Sequence, residues 1–303
     1  MKAPRLKWPS SYSLARSDDA RFLACLGRNV VVIDMHERVR VSTSHPLSHP
    51  SHASFSPNGE QLAVKSTSGK IVILDPKSGS VTRDFNNQKE GEGSGVYFSS
   101  DGNELIDGSW DGFITIRHTN DGAIVMRQQH KGEMISNVSH DLARRLWLVQ
   151  HSPKVRQGEN WPQPGYLSLH GWPIGEDNVR TISFGMDIEA SQLSPDGTRI
   201  CFIQRSSERR IHIARVSDSQ IIASSYPIEC GKTGSALSWS TDGKYIGTVG
   251  DGCFVFCRAS DLTIIGRTPA EYPSSIMFIP GGDDVVLGSW TTTMVKKCDA
   301  VMR

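Results

Sequence analysis

Few residues of this chain have the types and spacing that chemistry requires. His45, His49 and His52 stand in the segment Ser44-His45-Pro46-Leu47-Ser48-His49-Pro50-Ser51-His52. Three imidazoles are donors that a zinc ion takes, but the prolines and serines make this segment extended, with no fixed ligand geometry. The expectation is a solvated loop and no metal, with His49 as a contact residue. Cys230-Gly231-Lys232-Thr233 ends as a phosphate loop does, yet that motif needs a glycine at 226 and a following helix whose N–H groups hold the phosphate. Position 226 is Tyr226, and no helical pattern follows. Asp187 and Glu189 are two apart on an expected strand, which is a residue pair for general acid–base work. With no cleft to hold them, they read as a solvated pair. No Gly-x-Ser-x-Gly elbow occurs. The chain is expected to be non-catalytic and to use no cofactor.

Charge narrows the partners. The 303 residues carry a net charge of +1, so no overall field recruits nucleic acid or an anionic membrane. Arg205, Arg209 and Arg210 are the tight arginine group, expected in a solvated turn. The six cysteines form no Cys-x-x-Cys pair, and Cys253 and Cys257 would share one face of a strand. All six read as reduced, mostly buried small hydrophobes. The basic residues near Met1 precede no apolar run, and no stretch approaches 18 apolar residues. A cytoplasmic protein without a membrane span is expected.

The elements that must position any site are legible from a repeat. Ser56-Pro57-Asn58-Gly59, Ser100-Asp101-Gly102, Ser194-Pro195-Asp196-Gly197 and Thr241-Asp242-Gly243 each stand between two apolar strands. Weaker copies lie at Asp18-Asp19, His140-Asp141 and Pro280-Gly281-Gly282, so turns fall near 18, 58, 101, 141, 196, 242 and 281. A period in this range means stacked repeats. Residues 95–129 show the unit: Val96-Tyr97-Phe98, Leu105–Ser109, Phe113–Arg117 and Ala123–Met126, separated by turns at Asp101-Gly102, Asp111-Gly112 and Asp121-Gly122. Four short antiparallel strands with three tight turns make one propeller blade. The expected fold is all-β, a seven-bladed β-propeller with four antiparallel strands per blade. The blades span about 11–43, 53–86, 94–129, 135–184, 189–225, 235–268 and 274–303, in a single domain. Residues 4–8, including Arg5-Leu6-Lys7-Trp8, are expected to add the outer strand of the last blade and tie the ends together. Six blades are the alternative if the first or fourth unit is not a true blade.

These units resemble WD-repeat propellers. Gly108-Ser109-Trp110-Asp111-Gly112-Phe113-Ile114-Thr115-Ile116 reads like the second and third strands of such a repeat. The Trp-Asp pair that ends the third strand in that family is absent. Ile33-Asp34, Leu74-Asp75, Arg117-His118, Ala214-Arg215, Cys257-Arg258 and Lys297-Cys298 stand in those places, and no Gly-His opens a unit. The resemblance implies a platform that binds one or more proteins.

The step from 141 to 196 is the longest and locates an insertion between Leu146-Trp147-Leu148-Val149 and Tyr166-Leu167-Ser168-Leu169. Loops joining the second strand to the third, and one blade to the next, share one face of a propeller, and the resemblance implies that this face binds partners. The inserted segment, 152–165, brings Lys154, Arg156 and Trp161, types enriched at interaction hot spots. Trp110 and Trp290, in Gly-Ser-Trp-Asp and Gly-Ser-Trp-Thr, are expected on the same face, with Asp111 as a turn residue. The candidate partner-binding residues are therefore Lys154, Arg156, Trp161, Trp110, Trp290 and His49. The chain would act as a scaffold or as an inhibitor of immunity type. The alternative is an ion or small-molecule binder, or a hydrolase, with its site in the central channel. The expected channel residues Ser54, Val96, Ser191, Leu237 and Ile276 are mostly small or apolar, which speaks against catalysis there.

Overall fold

In the computed structural model the repeated phrase becomes a repeated turn. The structure describes residues 7–85, 92–154, 164–174, 179–228, 236–281 and 284–302. In five units a serine hydroxyl donates to the Asp or Asn two residues on: Ser17 to Asp19, Ser56 to Asn58, Ser99 to Asp101, Ser194 to Asp196 and Ser240 to Asp242, all at 2.5–2.7 Å. The same serine oxygen accepts the N–H five residues on, from Phe22, Gln61, Glu104, Arg199 and Tyr245. This side-chain scaffold closes the hairpin between the first two strands of a blade. The serine stands one residue earlier than the sequence phrase suggests in the third and sixth units, Ser99 and Ser240 rather than Ser100 and Thr241. The Ser99 hydroxyl and the Asn103 N–H hold the Asp101 carboxyl below its ordinary value. The next position adopts positive φ, and Gly59, Gly102, Gly197 and Gly243 take it without steric cost.

Seven sheets result, each made of strands consecutive in the chain and paired antiparallel. Second strands such as Phe22–Leu26 and Leu62–Ser66, and third strands such as Val30–Asp34 and Ile71–Leu74, are buried at every position. Neighbouring blades cover both of their faces, so they read as continuous apolar runs rather than alternating ones. The fourth strand Val81–Asp84 is exposed throughout and belongs to the outer rim. The second blade therefore runs from a channel-lining first strand to a solvated fourth.

Six sheets have four strands; the seventh, Pro273–Phe278, Asp284–Ser289 and Thr293–Lys297, has three among the described residues. Of the expected closing segment, Pro4, Arg5 and Leu6 lie outside the described residues. Lys7 and Trp8 belong to no strand, and Trp8 packs on a cluster that joins Leu23 and Ile33 of the first blade to Val286 of the last. The ring also closes nearer the axis. Ser11 N–H donates to the Ser289 carbonyl at 2.9 Å, Ser274 Oγ donates to the Ser11 carbonyl at 2.8 Å, and Ser11 Oγ bonds Thr293 Oγ1 at 2.7 Å. After the last strand a short helix, Cys298–Val301, lies against the outer strand of the sixth blade at Gly266, where a Cβ would meet the Val301 carbonyl.

The first strands of four blades are bulged. Register shifts between Pro50 and His52, Ile135 and Asn137, Ile188 and Ala190, and Pro273 and Ser275 leave Ser51, Ser136, Glu189 and Ser274 as extra residues. An extra residue reverses the facing of those before it, and this decides what lines the channel. Cys25, Cys201 and Cys257 are buried, Cys253 packs against the same cluster that holds Cys257, and Cys230 lies outside the described residues. Among the described residues no helix is long and apolar enough to cross a membrane.

Candidate functional site

One set of backbone bonds defines a face of the ring. The N–H groups of Thr67, Trp110, Lys154, Arg205 and Trp290 donate to the carbonyls of His49, Glu92, Gly132, Asp187 and Tyr272. Each bond joins a loop between second and third strands to the linker that enters the same blade. Trp110, Lys154 and Trp290 thus hold equivalent places, and His49 lies beside Thr67 on the same face. Lys154 Nζ lies 3.3 Å from Asp111 Oδ1, so the start of the insertion is tied to the turn of the preceding blade, and Asp111 is an ion-pair partner as well as a turn residue. Arg156 and Trp161 lie outside the described residues. Trp290 is 65% exposed and Trp110 43%. Tyr226, 82% exposed, and Tyr272 add two aromatics in blade-to-blade linkers. Their place between the last strand of one unit and the first of the next was the signal for them in the sequence.

Two of the three arginines fit the expected solvated turn, Arg205 exposed and Arg210 half-buried, and the third does not. Arg209 is buried, with Nε 2.8 Å from Glu189 Oε2 and Nη1 donating to the Val249 carbonyl at 3.3 Å. Glu189 is therefore no solvated partner of Asp187, whose carboxylate accepts the Gly165 N–H at 3.3 Å.

The channel encloses a cavity of about 360 Å³ with residues from all seven first strands or their approaches. Ser191, Leu237 and Ile276 line it as expected, but Ser54 and Val96 are buried within their blades. Their places go to Ser51, His52 and Tyr97. The walls are more polar than the sequence suggested, because the bulged Ser51, Ser136 and Ser274 face inward. Glu189 is the charged residue of this lining, and Arg209 pairs with it. Burial, then the Lys65 ammonium, lowers the His52 pKa to about 4, so that ring is neutral near pH 7.

A third constellation sits where the insertion leaves the fourth blade. His130-Lys131-Gly132-Glu133 forms a tight turn: Glu133 N–H donates to the His130 carbonyl at 3.3 Å, and Gly132 takes φ 80°. His151, on the second strand Leu146–Pro153, donates from Nδ1 to Glu133 Oε2 at 2.9 Å. Its Nε2 bonds Ser168 Oγ at 2.7 Å, and Ser168 Oγ bonds His170 Nε2 at 2.8 Å. Tyr166 stacks on the His151 ring at 4.3 Å and donates its hydroxyl to Glu133 at 2.8 Å. His130 Nδ1 is 3.8 Å from Glu133 Oε2. The cluster borders a cavity of about 250 Å³ formed with Lys131, Pro153, Pro164 and Gly165. Burial, then the neighbouring His130 and His170, lowers the His151 pKa to about 3, and burial also lowers that of His130. Burial and the Glu133 carboxylate raise that of the Tyr166 hydroxyl. Carboxylate, imidazole and hydroxyl follow one another as in a hydrolytic relay, but Ser168 is buried and also held by His170, so it orients His151. The sequence reading missed this cluster because its members come from a turn and two strands.

Fold and face together define a seven-bladed β-propeller with an aromatic, insertion-bearing loop face. No protein-family model matches the chain, and no curated protein matches its sequence. Among solved structures it is similar to a chain of the hydrazine synthase of Kuenenia stuttgartiensis, with a TM-score of 0.78, 14% identity and 98% of each chain covered. At that identity the likeness shows the fold alone, and membership of the WD-repeat family has no support beyond the fold.

Proposed function

We propose that this chain is a non-catalytic, cytoplasmic platform that binds one or more proteins on the insertion-bearing face, as a scaffold or as an inhibitor of immunity type. The observation that carries this reading is the exposure of Trp110, Tyr226, Tyr272 and Trp290 on one face, among the polar residues His49, Lys154 and Arg205. Exposed aromatics within a polar surround are the composition of interface hot spots. Arg156 and Trp161 extend the set by their place in the insertion. The ring holds these loops on paired strands, so little order is lost when a partner docks. A second reading, a small neutral ligand in the channel, is favoured by the hydroxyl-lined cavity there.

The test is affinity capture from native lysate with three forms: the wild type, a form with residues 152–165 replaced by a short Gly-Ser turn, and Trp110→Ala/Tyr272→Ala/Trp290→Ala. Loss of one stoichiometric partner from variants that melt as the wild type does is the expected result. An unchanged partner set sinks this face as the docking surface. Capture of nothing by any form transfers the reading to the channel.

A further inference from the structure

We propose that His130, Glu133 and His151 form a zinc site at the base of the blade-four insertion. Two imidazoles and one carboxylate are a donor set that zinc takes in four-coordinate sites, leaving one position for water. The three donor atoms lie within 4.8 Å of one another. Ligand atoms about 2.0 Å from a tetrahedral ion stand about 3.3 Å apart. The observed 2.9 Å between His151 Nδ1 and Glu133 Oε2 and 3.8 Å between His130 Nδ1 and Glu133 Oε2 bracket that value. The third pair, between the nitrogens of His130 and His151, lies within 4.8 Å, so the His130 ring must swing inward by up to about 1.5 Å to complete a tetrahedral set.

The surroundings are those of a held site. Tyr166 fixes the Glu133 carboxylate through its hydroxyl and the His151 ring by stacking. Such outer partners set ligand orientation and basicity. The zinc ion takes the place of the hydrogen between His151 and Glu133. The ring stays neutral: its one hydrogen sits on Nε2 and donates to Ser168 Oγ, whose own hydrogen turns to His170 Nε2. The chain of bonds already present accepts either arrangement. His130 Nε2 is buried and makes no hydrogen bond among the described residues, so the ring can turn either nitrogen to the ion. The cavity beside Lys131, Pro164 and Gly165 gives the fourth position room for water. The turn fixes part of this before any metal arrives, because Gly132 sets His130 and Glu133 three residues apart on one side.

Purified full-length protein is dialysed against zinc-buffered solutions and its metal content measured, and cobalt(II) is titrated as a spectroscopic probe. One zinc per chain and intense four-coordinate cobalt bands are expected. His130→Ala and Glu133→Gln, both at a partly exposed turn, should each weaken zinc binding by about tenfold or more. The control His45→Ala/His49→Ala/His52→Ala should bind as the wild type does. Two results overturn the site: no zinc retained at micromolar free metal, or binding lost in the control and kept in the turn variants. Circular dichroism melting of each variant confirms that it is folded, and a variant that does not fold is replaced by His130→Gln.

Discussion

Arg144 of the fourth blade grips Asp18 of the first, with its two Nη atoms 2.5 and 3.0 Å from the carboxylate oxygens. Blades one and four are not neighbours in a ring of seven. Both residues sit in turns between first and second strands, so the pair spans the mouth of the channel on the side away from the insertion. These two turns are also the ones where Ala20 and Arg144 hold the positive-φ place that glycine holds in others. The fourth also has Asp141 where five other blades have serine, and its carboxylate accepts the N–H groups of Arg145 and Leu146. Two of the three units that look weakest as repeats thus contribute the turns that meet across the axis.

A double-mutant cycle measures that bridge. Arg144→Met and Asp18→Asn should show a coupling of about 1 kcal/mol in urea unfolding, held down by the partial exposure of Asp18 and reduced further by salt. Coupling indistinguishable from zero would mean that the contact does not hold the mouth. Arg144→Gly should be about 0.5–1 kcal/mol more stable than Arg144→Ala, since only glycine is unstrained at φ 51°.

Lys65 of the second blade is wholly buried and donates to Asp107 of the third, and to the Gly108 carbonyl at 2.8 Å. Arg117 Nη2 lies 3.8 Å from the same carboxylate. Removing one member of a buried pair leaves a desolvated charge. Lys65→Met should therefore cost about 3 kcal/mol in chemical denaturation. Lys65→Met/Asp107→Leu/Arg117→Met, which replaces all three charges, should recover part of that loss, and a triple variant worse than the sum of the singles would contradict this account.

Acid should destabilise the fold through its neutral histidines. The folded pKa of His151 is depressed to about 3, and those of His52 and His140 to about 4. Unfolded histidine titrates near 6.5, so the unfolded chain takes up protons first as pH falls. The stability from each neutral ring is fully present above about 6.5 and is lost progressively below it. For His151 the loss at pH 5 is about 2 kcal/mol. Melting temperature should fall steadily from pH 7 to 5, and His151→Asn should flatten that slope. An identical slope in the variant would remove His151 from the explanation.

Gly288 marks the seam where the ring closes. A Cβ there would lie 2.2 Å from Ser275 Oγ and 2.6 Å from Ser11 Oγ. Gly288→Ala should cost about 1–3 kcal/mol as overpacking. Gly171→Ala, with nothing within 4 Å of its Cβ, should stay within about 0.5 kcal/mol of the wild type. Equal effects at the two sites, measured by thermal melting, would show that the seam tolerates the extra atom.

What the sequence by itself determined was the architecture. Each blade hydrogen-bonds within a stretch of consecutive strands, and its turns and apolar runs are local, so the seven units and the strand Val96–Phe98 could be read directly. The equivalence of Trp110 and Trp290 followed from the same periodicity. Tertiary structure alone decided the rest. One-residue bulges at Ser51, Ser136, Glu189 and Ser274 reset which side chains enter the channel, and no local pattern announces a single extra residue in so short a strand. Arg209 became buried because Glu189 reaches it from another strand. The meeting of His130 and Glu133 with His151, and of Arg144 with Asp18, depends on register and on ring closure. These join residues whose separation along the chain carries no period, so only the folded ring brings them together.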